Sequence, residues 1–507
     1  MLRRIDDFLN KITMYRLVLY CLVLLWLTGL FLSFFNTLPF SPVSLIISLL
    51  VILVFSIATN KIFERIFNVP SNTESTYITS FILALITGPE ISAKGFLFLI
   101  LISAIAIASK YILAVNKKHI FNPAALAIAA GPFLFHYYPS WWVGDPIMMA
   151  FVLITGFLIV RKIQRFDLVA SFLIVFIATS LGAITSLQNV FALLPNLFAY
   201  SPVLFFAAIM LTEPATAPPS RIHRFAYGAL VGFLIAPFFT LGNFSFSPEM
   251  ALLVGNIFSY IVSPKVKLRL MLKEKLKIAV NTYDFVFSTE KRLKFLPGQY
   301  LEWTLTGRQK KQDSRGMRRY FTIASSPTEN NLRIGIKFYQ NPSSYKKALQ
   351  DLKQGDLMVA SQLAGDFTLP KDKNKKLVFL AGGIGITPFR SMLKYLIDSN
   401  ENRNIVMFYA NGNYSDVAYR NIFDQAQEKL GIKTVYVLAD IQKCPSEFDC
   451  QKGLVTVEMI KKTVPDFKER LFYISGPRAM IVSFEKTLKE LGIPKSHIKT
   501  DFFPGYA

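Results

Sequence analysis

Ten apolar segments in the first 264 residues place the strongest constraint on how this chain folds. Apolar stretches this numerous are typical of membrane-spanning helices, because a single soluble core does not have room for all of them. Several are shorter than the roughly 20 residues that a perpendicular span requires. We predict a helical membrane bundle of about ten spans, with segments at 14–36, 43–59, 76–88, 95–115, 121–138, 146–160, 167–187, 191–212, 225–241 and 248–263.

Basic residues between these segments predict how the helices are oriented. Lys and Arg follow every even-numbered segment, whereas Lys94 is the main exception after the odd-numbered ones. Because short cytoplasmic loops carry the excess of basic residues, both termini are predicted to be cytoplasmic and the protein to lie in the cell (inner) membrane. Arg3, Arg4 and Lys11 precede the first segment, and the basic residues after the even-numbered segments are Lys61, Arg65, Lys117, Lys118, Arg161, Lys162, Arg165, Arg221, Arg224, Lys265, Lys267 and Arg269.

Four prolines mark an internal repeat. In each copy an apolar run ends at a proline, and a second proline opens another run 34 residues later. The pairs are Pro89 with Pro123 and Pro214 with Pro248, so the copies are offset by 125 residues. Five spans per copy is an odd number, which predicts that the copies lie inverted in the membrane. Inverted repeats with short, interrupted helices place a site near the bilayer midplane.

Cysteine and histidine counts limit the redox groups that the chain can hold. Three cysteines are too few for an iron–sulfur cluster held by four thiolates. Four histidines, of which at most three lie near the membrane, argue against a transmembrane pair of bis-His haems. We predict no metal site. Cys444 and Cys450 are interpreted as free thiols in a polar loop, with pairing or redox sensing as the alternative.

The second half of the chain is much richer in charged residues than the first. From residue 265 onward there are 41 Lys and Arg against 24 Asp and Glu, compared with 15 against 9 before it. This basic balance fits a solvated surface, a face near anionic lipid or attraction of an acidic dinucleotide. Basic clusters interleaved with aromatics do not occur, so no nucleic-acid partner is predicted.

Alternating residues from 265 to 372 predict a small antiparallel β-barrel, and strand–loop–helix units from 373 to 507 predict an α/β domain with a parallel sheet. With the membrane domain at 1–264, the chain is predicted to have three domains.

The segment RRYFTIASSP, at residues 318–327, is the strongest local motif. Arg319 supplies a cation suited to a pyrophosphate. Phe321 offers a ring that stacks on an isoalloxazine, and Thr322 offers a hydroxyl for the ring edge. An edge strand with a surface arginine would be the simpler interpretation of these residues.

Two glycine-containing turns follow predicted strands. In LVFLAGGIGITPF, Gly382, Gly383 and Gly385 allow close backbone approach to a phosphate or nicotinamide, and Pro388 lies in the first turn of the next helix. In FYISGPRAM, Gly476 and Pro477 end another strand. The chain closes with DFFPGYA, whose aromatics could cover a flavin face.

Together these motifs resemble the ferredoxin–NADP reductase superfamily over residues 266–507. The resemblance implies an FAD site at Arg319, Phe321 and Thr322, with Phe321 replacing the family's tyrosine. It implies a nicotinamide loop and a second nucleotide loop, where Ser475 replaces a frequent cysteine. It also implies these further positions: Lys337, Ser343, Gly365 and Phe367 for FAD; Gly382, Gly383, Gly385, Thr387, Pro388, Gly476 and Pro477 for the nucleotide; and Phe503 and Tyr506 as closing aromatics.

The stretches HIFNPAALA, MLTEPATAP, YGALVG and SPEMALLVGN are similar to the paired membrane flavoproteins of the Na⁺-translocating NADH:quinone reductase and of Rnf complexes. Those flavoproteins carry FMN on a threonine. The nearest stretch here ends at Thr185 but breaks the motif, so covalent attachment is not favoured. A non-covalent flavin, FMN or riboflavin, or a quinone near Asn122 and Glu213 is the alternative, beside plain helix capping by these residues.

The sequence therefore predicts a membrane-bound, FAD-dependent NAD(P)H oxidoreductase in the lipid bilayer. Hydride would pass from NAD(P)H to FAD at a cleft between Thr322 and Thr387, and electrons would continue to a membrane flavin, a quinone or an outer acceptor. The alternative is a redox-coupled transporter of ions or small solutes built on the repeat. The strand NIVMFYANGN is not followed at once by an arginine for a 2′-phosphate; Arg420 comes later, which favours NADH.

Overall fold

The computed structural model describes two compact units, which divide between residues 263 and 264. The residues that the structure describes are 5, 8–9, 12–67, 73–115, 118–182, 195–199, 201–236, 240–241, 244–263, 267–289, 292–305, 318–340, 342–440, 444–445 and 450–501.

The first unit is helical, and helices overlap all ten of the predicted apolar segments within the described ranges. Four helical stretches have the length and hydropathy of a full span, namely Met14–Phe34, Pro42–Phe67, Ala93–Ile112 and Pro146–Ile163. The number of spans stays a prediction. The helices are α1 Met14–Phe34, α2 Pro42–Phe67, α3 Thr73–Ile86, α4 Ala93–Ile112, α5 Pro123–Phe135, α6 Met149–Ile163, α7 Phe166–Gly182, α8 Val203–Phe205 with a π-turn over Phe206–Met210, α9 Arg221–Leu234 and α10 Pro248–Val262.

The second proline of each repeat copy opens a helix in the same way. Pro123 and Pro248 occupy the first turns of α5 and α10, where a missing N–H costs nothing. Asn122 caps α5 by accepting from the Ala125 N–H, and Ser247 caps α10 by accepting from the Met250 N–H. The matched spacing in the sequence thus corresponds to two equivalent helix starts.

Two glycines in the YGALVG stretch bring α9 against α7. A Cβ at Gly228 would lie 2.7 Å from the Leu168 carbonyl oxygen, and one at Gly232 would lie 2.5 Å from that of Phe172. Small residues four apart let two helix backbones come into contact. In a membrane such close packing stabilises helix pairs, because lipid provides no hydrophobic driving force between helices. Short strand pairs accompany the helices: β1 Ala114–Val115 with β2 Lys118–His119, and β3 Thr240–Leu241 with β4 Phe244–Ser245.

The second unit begins with six strands and one helix: β5 Lys267–Ala279, β6 Thr282–Thr289, β7 Tyr300–Leu305, β8 Arg318–Thr322, β9 Leu332–Lys337, α11 Ser344–Gln350 and β10 Leu357–Ala364. The strands form an antiparallel sheet in the order β8-β7-β10-β5-β6-β9. Its core contains Trp303, Phe285 and Phe287, all fully buried. The Ala324 N–H donates to the Arg333 carbonyl at 2.8 Å, which links the chain beyond β8 to β9.

Strands and helices then alternate: β11 Leu377–Gly382, α12 Thr387–Ser399, β12 Ile405–Asn411, α13 Arg420–Leu430, β13 Lys433–Leu438, β14 Cys450–Lys452, α14 Val457–Thr463, β15 Leu471–Ser475, α15 Arg478–Glu490 and β16 Ile498–Thr500. The strands form a parallel sheet in the order β14-β13-β12-β11-β15-β16. Helices α12 and α13 pack on one face and α14 and α15 on the other, which explains why β11 is buried along its whole length.

The interpretation of Cys444 and Cys450 as free thiols was wrong. The two residues form a disulfide, with their Cα atoms 6.6 Å apart. Cys450 begins the edge strand β14, where it pairs with Tyr436 of β13. The sequence showed the six-residue spacing but not that the two sulfur atoms are bonded. Cys21 is buried in α1 with a free thiol.

Candidate active site

Strand β8 places its predicted flavin residues on two faces. Arg319 and Phe321 both face Tyr345 of α11: the guanidinium carbon lies 5.0 Å from the ring centre, and the Phe321 ring 6.0 Å from it. Thr322 lies on the other face, is 5% exposed and pairs with Tyr300. Arg319 is 7% exposed, so β8 carries an almost fully buried positive charge. The simpler interpretation, a surface arginine, does not describe it.

Two further positions predicted for FAD surround the start of α11. Ser343 caps this helix, and its side chain accepts from the Lys346 N–H. Lys346 donates in turn to the Lys337 carbonyl at 3.0 Å. The Lys337 ammonium forms an ion pair with Asp416 at 2.8 Å, so its charge is directed to the parallel-sheet portion of the unit.

The turn at Gly365 and Phe367 is held by two glycines with left-handed backbones. Gly365 has φ 119°, and a Cβ there would lie 3.1 Å from the Tyr300 ring. Gly298 has φ 94°, and a Cβ there would lie 2.0 Å from the Phe367 carbonyl oxygen. A side chain at either position would fill the space beside β7. Phe367 itself is buried against Phe389.

The two predicted nucleotide loops touch through their backbones. A Cβ at Gly385 would lie 2.4 Å from the Gly476 Cα, and one at Gly382 would lie 2.8 Å from the Met480 sulfur. Gly383 has φ 50°, with open space where its Cβ would be. Parallel strands β11 and β15 are neighbours, so both loops leave the same carboxyl edge of the sheet, where nucleotides bind in such folds.

Helix α12 connects the nucleotide loop to the strand that carries Thr322. The helix begins at Thr387, with Pro388 in its first turn. Arg390 donates to the Ala324 carbonyl at 2.9 Å, and Ser391 donates to the Ser325 carbonyl at 2.7 Å. Thr322 ends β8 and Thr387 begins α12. The predicted catalytic residues therefore lie two to four positions from the residues that hydrogen-bond the chain after β8 to α12.

A buried carboxyl group stands beside the second nucleotide loop. The Ser475 hydroxyl and Asp501 Oδ2 are 3.0 Å apart at the end of β15. Burial raises the pKa of Asp501 to about 7, against the opposing effect of this hydrogen bond. Ser475 therefore has an acidic partner where the resemblance implied a thiol. Phe503 and Tyr506 lie outside the described residues.

In the membrane half the structure brings Asn122 and Glu213 together. The Asn122 amide donates to Glu213 Oε2 at 3.0 Å, and His119 Nε2 lies 3.2 Å from Oε1. The Asn122 N–H donates to the Asn256 side chain at 2.8 Å, and the Asn256 amide donates to the Tyr227 hydroxyl at 3.1 Å. These groups form one polar network among α5, α9 and α10. Thr185 lies outside the described residues.

Sequence reasoning missed several members of these clusters. Asn256 could have been found, since an amide inside an apolar segment is a candidate by default. Asp284 and Tyr419, which meet at 3.0 Å, are 135 positions apart, and no local motif marks either residue. Asp416 could have been suspected as an acidic residue shortly after the strand β12.

Family models match three consecutive parts of the chain. Residues 140–270 match the NQR2, RnfD, RnfE family, residues 268–368 the oxidoreductase FAD-binding domain, and residues 379–486 the oxidoreductase NAD-binding domain. These matches agree with the two resemblances found in the sequence, one in each half.

Curated relatives match about two fifths of this chain. The flavohemoprotein of Bacillus cereus (strain ATCC 10987 / NRS 248) is 29% identical over 225 residues, 41% of this chain and 53% of that protein. The flavohemoprotein of Bacillus subtilis (strain 168) is 29% identical over 192 residues, 36% of this chain and 46% of that protein. The chain thus spans about half the length of these relatives.

Two solved structures that are similar to part of this chain have TM-scores below 0.5. The Amycolatopsis cytochrome P450 reductase GcoB has a TM-score of 0.42 at 22% identity, covering 48% of this chain and 71% of that one. The flavohemoglobin of Malassezia yamatoensis has a TM-score of 0.43 at 18% identity, covering 70% and 97%. By its family matches, this chain joins a segment similar to the NQR2, RnfD, RnfE family to FAD-binding and NAD-binding oxidoreductase domains.

Proposed function

We propose that the protein is a membrane-bound, FAD-dependent NAD(P)H oxidoreductase that passes electrons from NAD(P)H into or across the bilayer. The main support is the close contact of the two nucleotide loops at Gly385 and Gly476. The helix that follows the first loop, α12, is hydrogen-bonded to the chain just after β8. The tandem FAD-binding and NAD-binding matches next to a membrane family support it independently. In this proposal the chain has a membrane domain at 1–264, an FAD domain at 265–372 and a nucleotide domain at 373–507.

The residues around β8 suit FAD. The buried Arg319 guanidinium offers the charge that a pyrophosphate needs, and Gly365 leaves its turn open where a side chain would stand. Thr322 would orient the flavin ring edge, Phe321 would stack on it, and Ser343 and Lys337 would line the phosphate side. FAD, when bound, accepts hydride and releases single electrons. Thr387 and the Gly382–Gly385 loop would hold the nicotinamide and exclude water.

The preferred nucleotide in this proposal is NADH. Asp416, on the turn after β12, directs Oδ2 to within 3.1 Å of the ideal Cβ position at Gly412. Its other oxygen, Oδ1, forms an ion pair with Lys337, so Oδ2 is the atom that would hydrogen-bond a ribose hydroxyl, and the carboxylate would repel a 2′-phosphate. Arg420, the nearby cation, forms an ion pair with Asp424 at 3.3 Å. We expect a higher kcat/KM for NADH than for NADPH, and Asp416→Asn should narrow the ratio; an unchanged ratio would remove Asp416 from the specificity.

Electrons would leave through the membrane half. The polar network at Asn122 and Glu213 is a candidate position for a non-covalent FMN or riboflavin or for a quinone, and an outer acceptor is a third exit. The ten spans, the inverted repeat, the cell membrane and the cytoplasmic termini belong to this proposal. A redox-coupled transporter is the alternative, and it is not favoured because the second half of the chain matches FAD-binding and NAD-binding oxidoreductase domains.

Counting flavins tests the proposal directly. Full-length protein purified in detergent would be extracted with acid, and its flavins separated by chromatography. We expect one FAD per chain, bleached by NADH in the intact protein under anaerobic conditions. A second flavin would support a relay in the bilayer, whereas FAD alone would leave quinone or an outer acceptor. Protein without FAD, or FAD that neither NADH nor NADPH reduces, would overturn the oxidoreductase proposal.

A further inference from the structure

Five charged or hydroxyl side chains join the antiparallel sheet to the helices of the parallel sheet within the second unit. We define the lock as Asp284 of β6, Glu329 and Arg333 around the start of β9, Arg390 of α12 and Tyr419 at the start of α13.

The central contact passes over a glycine. The Tyr419 hydroxyl donates to Asp284 Oδ1 at 3.0 Å. Gly335 of β9 stands opposite Asp284 in the sheet register, and a Cβ at Gly335 would lie 2.5 Å from the Tyr419 oxygen. The same Cβ would lie 2.8 Å from the Thr387 methyl group. Gly335 is therefore the point where the antiparallel sheet, the nucleotide loop and Tyr419 meet without an intervening side chain.

Three members of the lock are buried, and its charges are balanced. Asp284 is 1% exposed, Arg390 4% and Tyr419 7%. Asp284 accepts from Arg333 at 2.7 Å, and Glu329 accepts from Arg390 at 2.9 Å, so two guanidinium groups face two carboxylates. Removing one member of such a network leaves a buried polar atom unpaired, which costs more than the bond itself contributes.

Tyr419 is held in an unusual conformation. Its φ is 59°, in the left-handed region, which costs a residue with a Cβ about 1 kcal/mol. The Arg390 guanidinium carbon lies 5.6 Å from its ring centre. Burial raises the pKa of Tyr419 well above its ordinary value, so the hydroxyl keeps its proton and remains a donor to Asp284. Strain held by specific contacts is typical of functional positions.

We propose that the Tyr419–Asp284 hydrogen bond is a positioning contact for hydride transfer. It rests on the proposed function, because it fixes the Thr387 loop relative to the strand that carries Thr322. Hydride transfer requires the reacting atoms about 3–3.5 Å apart, and a 1 Å displacement costs up to about 10²-fold in rate. Neither Tyr419 nor Asp284 is assigned to contact FAD or the nucleotide; both act through the Gly335–Thr387 contact.

The test compares two buried tyrosine hydroxyls in the full-length protein. Tyr419→Phe removes the bond to Asp284 and keeps the ring. Tyr473→Phe is the matched control, since its hydroxyl is also buried and donates to the neutral Thr368 carbonyl at 2.9 Å. Stopped-flow absorbance would follow flavin reduction by NADH, and by NADH deuterated at C4, over a range of concentrations.

We expect Tyr419→Phe to lower the limiting rate of flavin reduction at least about tenfold. FAD per chain and the apparent Kd for NADH should stay at wild-type values, and the deuterium effect should stay the same or increase. Tyr473→Phe should reduce its flavin at the wild-type rate. Asp284→Ala removes the acceptor of the same bond, so the double variant should be less impaired than the product of the single effects predicts.

A wild-type limiting rate in Tyr419→Phe would overturn the proposal, as would equal losses in Tyr419→Phe and Tyr473→Phe. If Tyr419→Phe fails to bind FAD, Gly335→Ala becomes the decisive variant, because its Cβ displaces the same hydroxyl; a wild-type rate there would equally overturn the proposal. Wild-type protein whose flavin is reduced by neither nucleotide would instead refute the proposed function.

Discussion

Replacing Gly385 with alanine should separate the two nucleotide loops. The new Cβ would lie 2.4 Å from both Cα and N of Gly476 and 2.5 Å from the Ser475 carbonyl carbon. All three are backbone atoms at the end of a buried strand, so no flexible side chain can move aside. The loops themselves must shift, and they leave the edge where we place the nicotinamide.

The size of the effect follows from the cost of overpacking. Inserting a methyl group into a rigid contact typically costs about 1–3 kcal/mol. If that cost falls on the nucleotide-bound geometry, kcat/KM for NADH should decrease by about 5- to 150-fold, since each 1.4 kcal/mol is about tenfold. The FAD residues around Arg319 lie on other strands, so the FAD content should not change.

The assay is steady-state NADH oxidation with ferricyanide, using full-length protein in detergent and FAD measured by acid extraction. Gly431→Asn is the matched control in the same sheet-and-helix portion. Gly431 has φ 61° and open space at its Cβ position, and asparagine tolerates the left-handed region. We expect Gly431→Asn to behave as wild type. Wild-type kcat/KM in Gly385→Ala would refute the view that contact between these loops shapes the nucleotide site.

Three further predictions concern stability, each measured by thermal unfolding of the full-length protein in detergent. Burial raises the pKa of Asp501 from 3.8 to about 7, so its contribution to stability is fully present below about pH 4 and is lost as pH rises towards 7. The stability of Asp501→Asn relative to wild type should therefore increase between about pH 4 and 7, and a constant difference over this range would contradict the raised pKa. The double variant Cys444→Ser with Cys450→Ser should lose about 2 kcal/mol of unfolding free energy. Denatured wild-type protein should show one free thiol without reductant, and three thiols would contradict the disulfide. Glu213→Ala should destabilise by about 1–3 kcal/mol by leaving the Asn122 amide unpaired, whereas Glu213→Gln, which keeps an acceptor, should lose less; equal losses would contradict a hydrogen-bonding role.

The sequence predicted those parts of the molecule whose causes are local. The hydropathy of α1 and the caps before Pro123 and Pro248 depend on neighbouring residues, so pattern reasoning reaches them. The same holds for the strand–glycine–helix order from β11 to α12, because a hydrophobic run, a turn and Pro388 adjoin in the chain.

Contacts between distant residues were not predictable. Lys337, which we propose for the phosphate side of FAD, also forms an ion pair with Asp416, 79 positions away, and no sequence motif indicates this partner. A surface lysine on an alternating strand does not specify which of many carboxylates it meets. The lock was unpredictable for the same reason. In the sequence Gly335 is an ordinary glycine within a strand, and only the structure shows that the Tyr419 hydroxyl occupies the space beside it. Such positions require the fold, since the side chain that excludes a Cβ comes from another element.

The membrane half shows how the repeat and the polar network depend on each other. Asn122 and Ser247 are equivalent caps, 125 positions apart, but only Asn122 also donates through its side chain to Glu213 and through its backbone to Asn256. Both of those acceptors belong to the second copy. The first copy alone would leave the Asn122 amide without these partners, in an environment where an unpaired polar group costs several kcal/mol. The network therefore joins the two predicted copies, and a redox group bound there, as we propose, would contact both. Because the proposed acceptor needs polar contacts, the hydrogen bonds made only by Asn122 are a better guide to its position than the matched prolines.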